Sequence, residues 1–160
     1  MKIEIKRADY RNPTQAKDLV TLLDAYARDP MGGGEPLGDE SRNNLVAKLA
    51  ELANAFSVLC YVDDKPAGLI NCFVGFSTFK CKPVVNIHDV VVDAEFRGLG
   101  LSQQLMEAVA QIARELGACK LTLEVLEGNE VAKNAYLKQG FSGYELDPKM
   151  GKALFWEKPL

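Results

Sequence analysis

Arg97-Gly98-Leu99-Gly100-Leu101-Ser102 is the stretch of this sequence whose residue types and spacing most constrain chemistry. It follows an apolar run, residues 84–92, and leads into a helical pattern that begins at Leu101. A strand that ends in a glycine-rich turn at the mouth of a helix aims several unpartnered backbone N–H groups, and the positive end of the helix dipole, at one point in space. A phosphate fits that point.

Two familiar phosphate loops do not match. A Walker loop needs Gly-Lys-Ser/Thr, and no lysine lies between Lys82 and Lys120. The dinucleotide fingerprint needs a third glycine where Gln103 stands, on a first strand rather than late in the chain. What remains is Arg-x-x-Gly-x-Ser after a β-strand. A second pattern lies downstream, after the strand-like residues 120–125: Asn129, Ala132, Tyr136, Gly140 and Phe141.

Together the two segments resemble the GNAT superfamily of N-acetyltransferases. Its acetyl-CoA loop reads Arg/Gln-x-x-Gly-x-Gly/Ala, and its next βα unit carries Asn-x-x-Ala-x-x-x-Tyr followed by Gly-Phe. The resemblance is close over residues 84–141 and loose toward both ends. Ser102 departs from the usual glycine or alanine, and its hydroxyl adds a donor for a phosphate. The resemblance implies acetyl-CoA as co-substrate, no metal, and direct transfer of an acetyl group to a primary amine of a small molecule or peptide. The alternative is a GNAT-like acyl-CoA sensor without turnover.

The resemblance also distributes roles. Arg97, Gly98, Leu99, Gly100, Leu101 and Ser102 would cradle the pyrophosphate. Val90, Val91 and Val92 would offer backbone groups to the pantetheine arm, although their side chains are most simply core. Tyr136 matches the tyrosine near the CoA sulfur and is the expected general acid: a phenol at ~10 and a thiol at ~8.5 make that proton transfer nearly balanced. Asn129 matches a residue that caps the helix and contacts the cofactor. An ammonium, at ~10.4, must lose a proton before it attacks. His88, the only histidine, matches a strand position used for base chemistry, and imidazole suits proton uptake; Asp89, Glu124 or a water chain are the alternatives. Strict alternation along residues 86–92 sets Asn86, His88 and Val90 on one face and Ile87, Asp89 and Val91 on the other. Asp29, Glu35, Phe76 and Phe79 are the expected acceptor-binding residues, because the family's acceptor site is lined by the loop after the first helix and by nearby hairpin loops.

The elements that must position these residues follow from periodicity. Residues 2–6 alternate as an edge strand. Asn12-Pro13-Thr14-Gln15 is a helix start, with Asn12 as N-cap, Pro13 at the first helical position and Gln15 completing a capping box. Leu19, Leu22, Leu23 and Tyr26 face the core, and Asp29-Pro30 ends the helix. Residues 31–38 hold four of the thirteen glycines and form a loop. Ser41 caps a second helix with Leu45, Leu49 and Leu52. Residues 57–62 and 67–76 form a hairpin, residues 84–92 another strand, and residues 101–116 a helix with Leu101, Leu105, Ala108 and Ile112 on one stripe. A strand over residues 120–125, a helix over 129–139, and a closing strand pair, 141–146 with 153–156, complete the order. The expected fold is α/β (α+β): a GNAT-like mixed, mostly antiparallel sheet with splayed parallel strands and helices on both faces. One acetyltransferase domain accounts for residues 1–160.

Composition excludes other classes. With 48% hydrophobic and 26% charged residues the chain reads as globular. No apolar stretch reaches the ~20 residues that cross a bilayer, and the N-terminus has no signal-peptide core. A cytoplasmic protein with no membrane partner is expected. A net charge of −3 without a basic stripe argues against nucleic acid; a homodimer is left open. Cys60, Cys72 and Cys119 lie in apolar stretches and read as buried thiols, whereas Cys81 sits between Lys80 and Lys82.

Overall fold

A computed structural model describes residues 1–160. The chain divides into two compact units, Met1–Glu124 and Val125–Leu160. The first runs β1 (Ile3–Arg7), α1 (Pro13–Arg28), α2 (Asp39–Glu51), β2 (Ala55–Val62), β3 (Lys65–Ser77), β4 (Lys82–Val92), α3 (Leu101–Glu115) and β5 (Lys120–Leu123). Its sheet has the order β1-β2-β3-β4-β5, antiparallel at each step except the last, where β4 and β5 run parallel. That parallel pairing covers only Val84–Ile87 against Lys120–Leu123. From His88 onward β4 has no neighbour on its β5 side, which is the expected splay.

Alternation sorts the strands onto two layers. Leu59, Leu69 and Val91 are cross-strand partners on one face and pack with Leu19 and Leu22 of α1 and Val46 of α2. Cys60, Gly68 and Val92 are partners on the opposite face. There α3 comes so close that a Cβ on Gly68 would stand 2.8 Å from Leu105 Cδ1 and 3.1 Å from the Val91 carbonyl oxygen. Leu19, Leu59, Leu69, Leu105 and Val109 are fully buried, each contributing about 1.5–3 kcal/mol of burial. No helix is long and apolar enough to cross a membrane.

Local chemistry explains the helix ends and corrects several expectations. Asn12 Oδ1 accepts the Thr14 and Gln15 N–H groups, but Gln15 reaches back to the Asp9 N–H instead of closing a box on Asn12. Helix α2 starts two residues before Ser41, with Gly38 as N-cap and Asp39 and Glu40 against the helix dipole. Its buried side chains are Val46 and Leu49; Leu52 is the exposed C-cap. On α3 the buried stripe is Leu101, Leu105, Met106, Val109 and Ala113, leaving Ala108 and Ile112 at its margin. Cys60 and Cys72 are buried as expected, but Cys119, just past α3, is exposed.

The second unit holds α4 (Glu130–Lys138) and the tail that follows it. The closing pair does not form strands here: residues 141–160 carry no strand, and a bond from the Ala153 N–H to the Tyr144 carbonyl, 2.8 Å, joins the two segments. Asp147-Pro148 and Gly151, at φ 82°, turn the backbone between them, so a ladder cannot propagate from that bond.

Candidate functional site

The glycine loop is built from the end of β4. The Asp93 N–H donates to the Ala67 carbonyl and Asp93 Oδ1 accepts the Glu95 N–H, which folds Ala94–Phe96 into a short 3-10 turn. Arg97 is extended; Gly98 and Gly100 then take φ of 83° and 70°, the left-handed region where a side chain is strained. Gly100 is the N-cap of α3 and supplies no side-chain acceptor. The first N–H satisfied within the helix is that of Gln104, by the Gly100 carbonyl at 3.3 Å. The preceding donors of α3, on Leu101, Ser102 and Gln103, are thus left for an external acceptor. Arg97 is solvent-exposed, its guanidinium 4.0 Å from Asp29 Oδ2.

A pocket of about 300 Å³ opens between α1, α2 and the face of β3 and β4 that packs on them. Its lining includes Leu23, Tyr26, Gly32, Leu37, Leu45 and Leu49 from the helices and the loop between them, and Asn71, Phe73, His88 and Asp89 from the sheet. His88 and Asp89 share it, against the strict alternation the sequence suggested. The reason is a β-bulge. Asn71 pairs with Asp89 and Cys72 with Ile87, so His88 is the extra residue on β4 and the side-chain alternation shifts there. The His88 ring packs edge-on against Phe73, 5.3 Å between centroids at 82°.

Asp89 is held from beneath. Asn71, 4% exposed, donates Nδ2–H to Asp89 Oδ2 at 3.0 Å, and its Oδ1 accepts the Ser57 hydroxyl at 2.6 Å. Ser57 Oγ lies 2.8 Å from the Tyr10 hydroxyl. Because the Ser57 proton is committed to Asn71, Tyr10 is the donor in that last bond. Burial, and then the negative charges of Asp89 and Asp29, push the Tyr26 hydroxyl above its usual range, so it enters the pocket as a neutral phenol. Burial, reinforced by Asp89, pushes the Cys72 thiol up to about 12, making it an inert core residue.

Gly32 closes one wall. A Cβ there would stand 2.1 Å from the Tyr26 carbonyl oxygen, a backbone atom that cannot swing aside. Gly32→Ala is therefore expected to displace the loop around residue 32 and cost about 1–3 kcal/mol, seen as a lower urea midpoint at unchanged m-value. An unaltered midpoint would mean the loop relaxes freely.

In the second unit the downstream motif is accounted for atom by atom. Asn129 caps α4, its Oδ1 accepting the Ala132 N–H at 3.2 Å. Gly140, at φ 94°, ends it: the Gly140 N–H bonds the Leu137 carbonyl and the Phe141 N–H the Tyr136 carbonyl. This is a Schellman closure, and its accompanying apolar contact is Tyr136 against Phe141, ring centroids 5.9 Å apart. The cap, the glycine and the phenylalanine thus have structural reasons.

Other expected residues are placed differently. Asp29 Oδ1 accepts the Met31 N–H, capping the short 3-10 turn Pro30–Gly32. Glu35 is exposed on the same loop, and Phe76 and Phe79 are exposed at the β3–β4 hairpin end, Phe79 at 96%. None of these four lines the pocket. Glu124 is exposed after β5. Val91 is buried in the sheet–helix core, and Val90 and Val92 are half-buried. Asn71, Phe73 and Leu37 were not singled out from sequence, although Asn71 and Phe73 lie two apart on one strand, the spacing of a shared face. No group of three or more His, Cys, Asp or Glu side chains is placed to hold a metal.

The sequence profile of the acetyltransferase (GNAT) family matches residues 16–141. An uncharacterised N-acetyltransferase of Methanocaldococcus jannaschii is 30% identical over 89 residues, which is 55% of this chain and 39% of that protein. The streptothricin acetyltransferase of Streptomyces lavendulae is 41% identical over 63 residues, 39% of this chain and 33% of that one. The matched segments thus span well under half of these relatives' own lengths. Among solved structures, an aminoglycoside acetyltransferase from an uncultured soil metagenomic sample, in complex with trehalose, superposes with a TM-score of 0.80. It covers 99% of this chain and 96% of that one at 18% identity, a likeness of fold.

Proposed function

We propose, from the premise that this chain belongs to the acetyltransferase (GNAT) family, that residues 1–160 form one N-acetyltransferase domain that moves an acetyl group from acetyl-CoA to a primary amine. The observation that carries this reading is the α3 N-terminus. It is entered through two left-handed glycines, carries no side-chain cap, and follows a strand whose far edge is unpaired from His88 onward. The loop 97–102 supplies N–H groups and a guanidinium to the pyrophosphate, and Val90, Val91 and Val92 offer backbone groups along that free edge to the pantetheine arm.

The chemistry needs no covalent intermediate. His88 takes a proton from the acceptor's ammonium, and the neutral nitrogen attacks the thioester carbonyl carbon. The C–S bond breaks, the nitrogen sheds its second proton, and Tyr136 protonates the leaving thiolate, with one proton released net. Asp89 stands beside His88 as a fixed negative charge that draws the ammonium in. Asn129 holds the helix that carries Tyr136. Asp29 and Glu35, with Phe76 and Phe79, would meet parts of the acceptor that extend beyond the pocket.

Thiol release from acetyl-CoA across a panel of amines, with acetyl-CoA affinity measured alongside, tests the reading. Saturable, amine-dependent release is expected; affinity without release on any amine would favour an acyl-CoA sensor. If His88 is the base, kcat/KM rises with pH through two limbs, one belonging to the imidazole and one to the substrate amine. His88→Gln then loses the lower limb and lowers kcat/KM, at unchanged acetyl-CoA affinity. An identical profile would hand the proton to Asp89 or to water.

A further inference from the structure

The pocket's lining discriminates between kinds of amine. Its one carboxylate is Asp89, with His88 beside it; apart from the neutral Tyr26 phenol, the wall beyond is largely hydrocarbon, with Leu37, Leu45, Leu49 and the Phe73 ring. Asp89 is prepared to receive a single cation. The buried Asn71 amide, locked in one orientation by Ser57, can only donate toward Asp89 Oδ2. The other oxygen, Oδ1, has no donor within the protein. A volume of about 300 Å³ is at the small end for ligand pockets.

Resting on the acetyl-transfer reading above, we infer that the acceptor is a monoamine with an apolar body, an alkyl or arylalkyl amine, whose ammonium meets Asp89 Oδ1 while its hydrocarbon lies against Leu37, Leu45 and Phe73. The physical reason is the cost of a second charge. On a polyamine or aminoglycoside, a further ammonium group held inside the pocket would lie among leucine and phenylalanine with no second carboxylate, only the neutral Tyr26 hydroxyl and the His88 ring, and a desolvated charge without a counter-ion is strongly disfavoured. An apolar body instead gains from burial on the same surface. Asn71 is in this scheme a positioning residue: it acts through Asp89 and does not touch the amine.

Calorimetric titration of the full chain with 2-phenylethylamine, hexylamine, spermidine and neomycin tests this directly, with thiol release from acetyl-CoA recorded for each. The two monoamines are expected to bind at least tenfold more tightly than spermidine or neomycin. Leu37→Ser should weaken 2-phenylethylamine by about tenfold, since the loop backbone stays tied by the Leu37 N–H to Asp24 Oδ1 at 2.9 Å. Leu45→Asn is the second variant should the first lose its fold by circular dichroism. Asn71→Leu should weaken the monoamine by a smaller factor than Asp89→Asn, because it frees the carboxylate without removing it. Equal or tighter binding of spermidine or neomycin, or unchanged monoamine affinity in the folded leucine variant, would overturn the inference. The acetyl-transfer reading fails separately. Monoamine binding without thiol release sinks that reading and leaves the pocket preference standing, while brisk release with spermidine does the opposite.

Discussion

Gly100→Asp is expected to weaken acetyl-CoA about a hundredfold in a protein that still folds. The substitution places a carboxylate at the N-cap of α3, where it satisfies the free N–H groups of the first turn from within the chain. The pyrophosphate then meets a negative charge in place of N–H donors. Loss of charge-assisted hydrogen bonds worth about 1.5–3 kcal/mol, together with like-charge repulsion, corresponds to one to two or more decades of affinity at 1.4 kcal/mol per decade. The fold has reason to survive. A Cβ at Gly100 meets nothing within 4 Å, and aspartate is among the residues that tolerate φ near 70°. The cap it creates offsets part of the backbone strain, which is about 1–2 kcal/mol. Gly100→Asn separates the causes, since it brings the same shape and the same capping oxygen without the charge. Aspartate should be clearly the worse of the two. An unchanged dissociation constant in folded Gly100→Asp would remove the phosphate from this loop altogether.

Arg97 contrasts with Gly100. Its guanidinium is exposed and already near Asp29, so to the proposed cradle Arg97 would add only a screened charge. In the proposed cradle the backbone, shaped by Gly98 and Gly100, would do most of the binding. This is why the loop was legible in the sequence: glycine at a left-handed position is a backbone requirement that can be read from residue type. The same holds for α4, where Asn129, Gly140 and Phe141 spell out a cap and a Schellman closure in order. Helix α1 could be read for similar reasons, from Asn12-Pro13 at its start to Asp29-Pro30 at its end.

The pocket beside His88 and Asp89 was legible only in part, because it depends on long-range pairing. Nothing local in residues 86–92 announces a bulge; it arises from the register in which Asn71 and Cys72 of β3 meet Asp89 and Ile87 of β4. One extra residue brought His88 and Asp89 into one cavity where alternation had separated them. Phe76 and Phe79 drew attention as aromatic residues near a loop, but the ring that lines the pocket is that of Phe73, half-buried on the same strand as Asn71. Tyr10, Ser57 and Asn71 come from three different parts of the chain, and no spacing rule links them. The tail shows the opposite error: residues 141–146 and 153–156 have strand-like composition, yet local propensity cannot supply a partner strand.

Tyr136→Phe is expected to lower turnover by about a hundredfold with acetyl-CoA affinity nearly intact. The variant keeps the ring that packs on Phe141 at 5.9 Å and leaves the bond from the Phe141 N–H to the residue-136 carbonyl untouched, so the helix closure should hold. What disappears is one hydroxyl. If that hydroxyl delivers the proton to the thiolate, kcat and kcat/KM fall together, the signature of an interaction made in the transition state and absent from the ground state. The size is that usual for removing a general acid. A better leaving group then discriminates chemistry from packing. An acyl donor whose thiol is more acidic than that of CoA needs less help from an acid, so the variant's deficit should shrink with such a donor, whereas a packing defect would persist unchanged. Full turnover in Tyr136→Phe with acetyl-CoA itself would make solvent the proton source and leave the tyrosine its part in the Schellman contact.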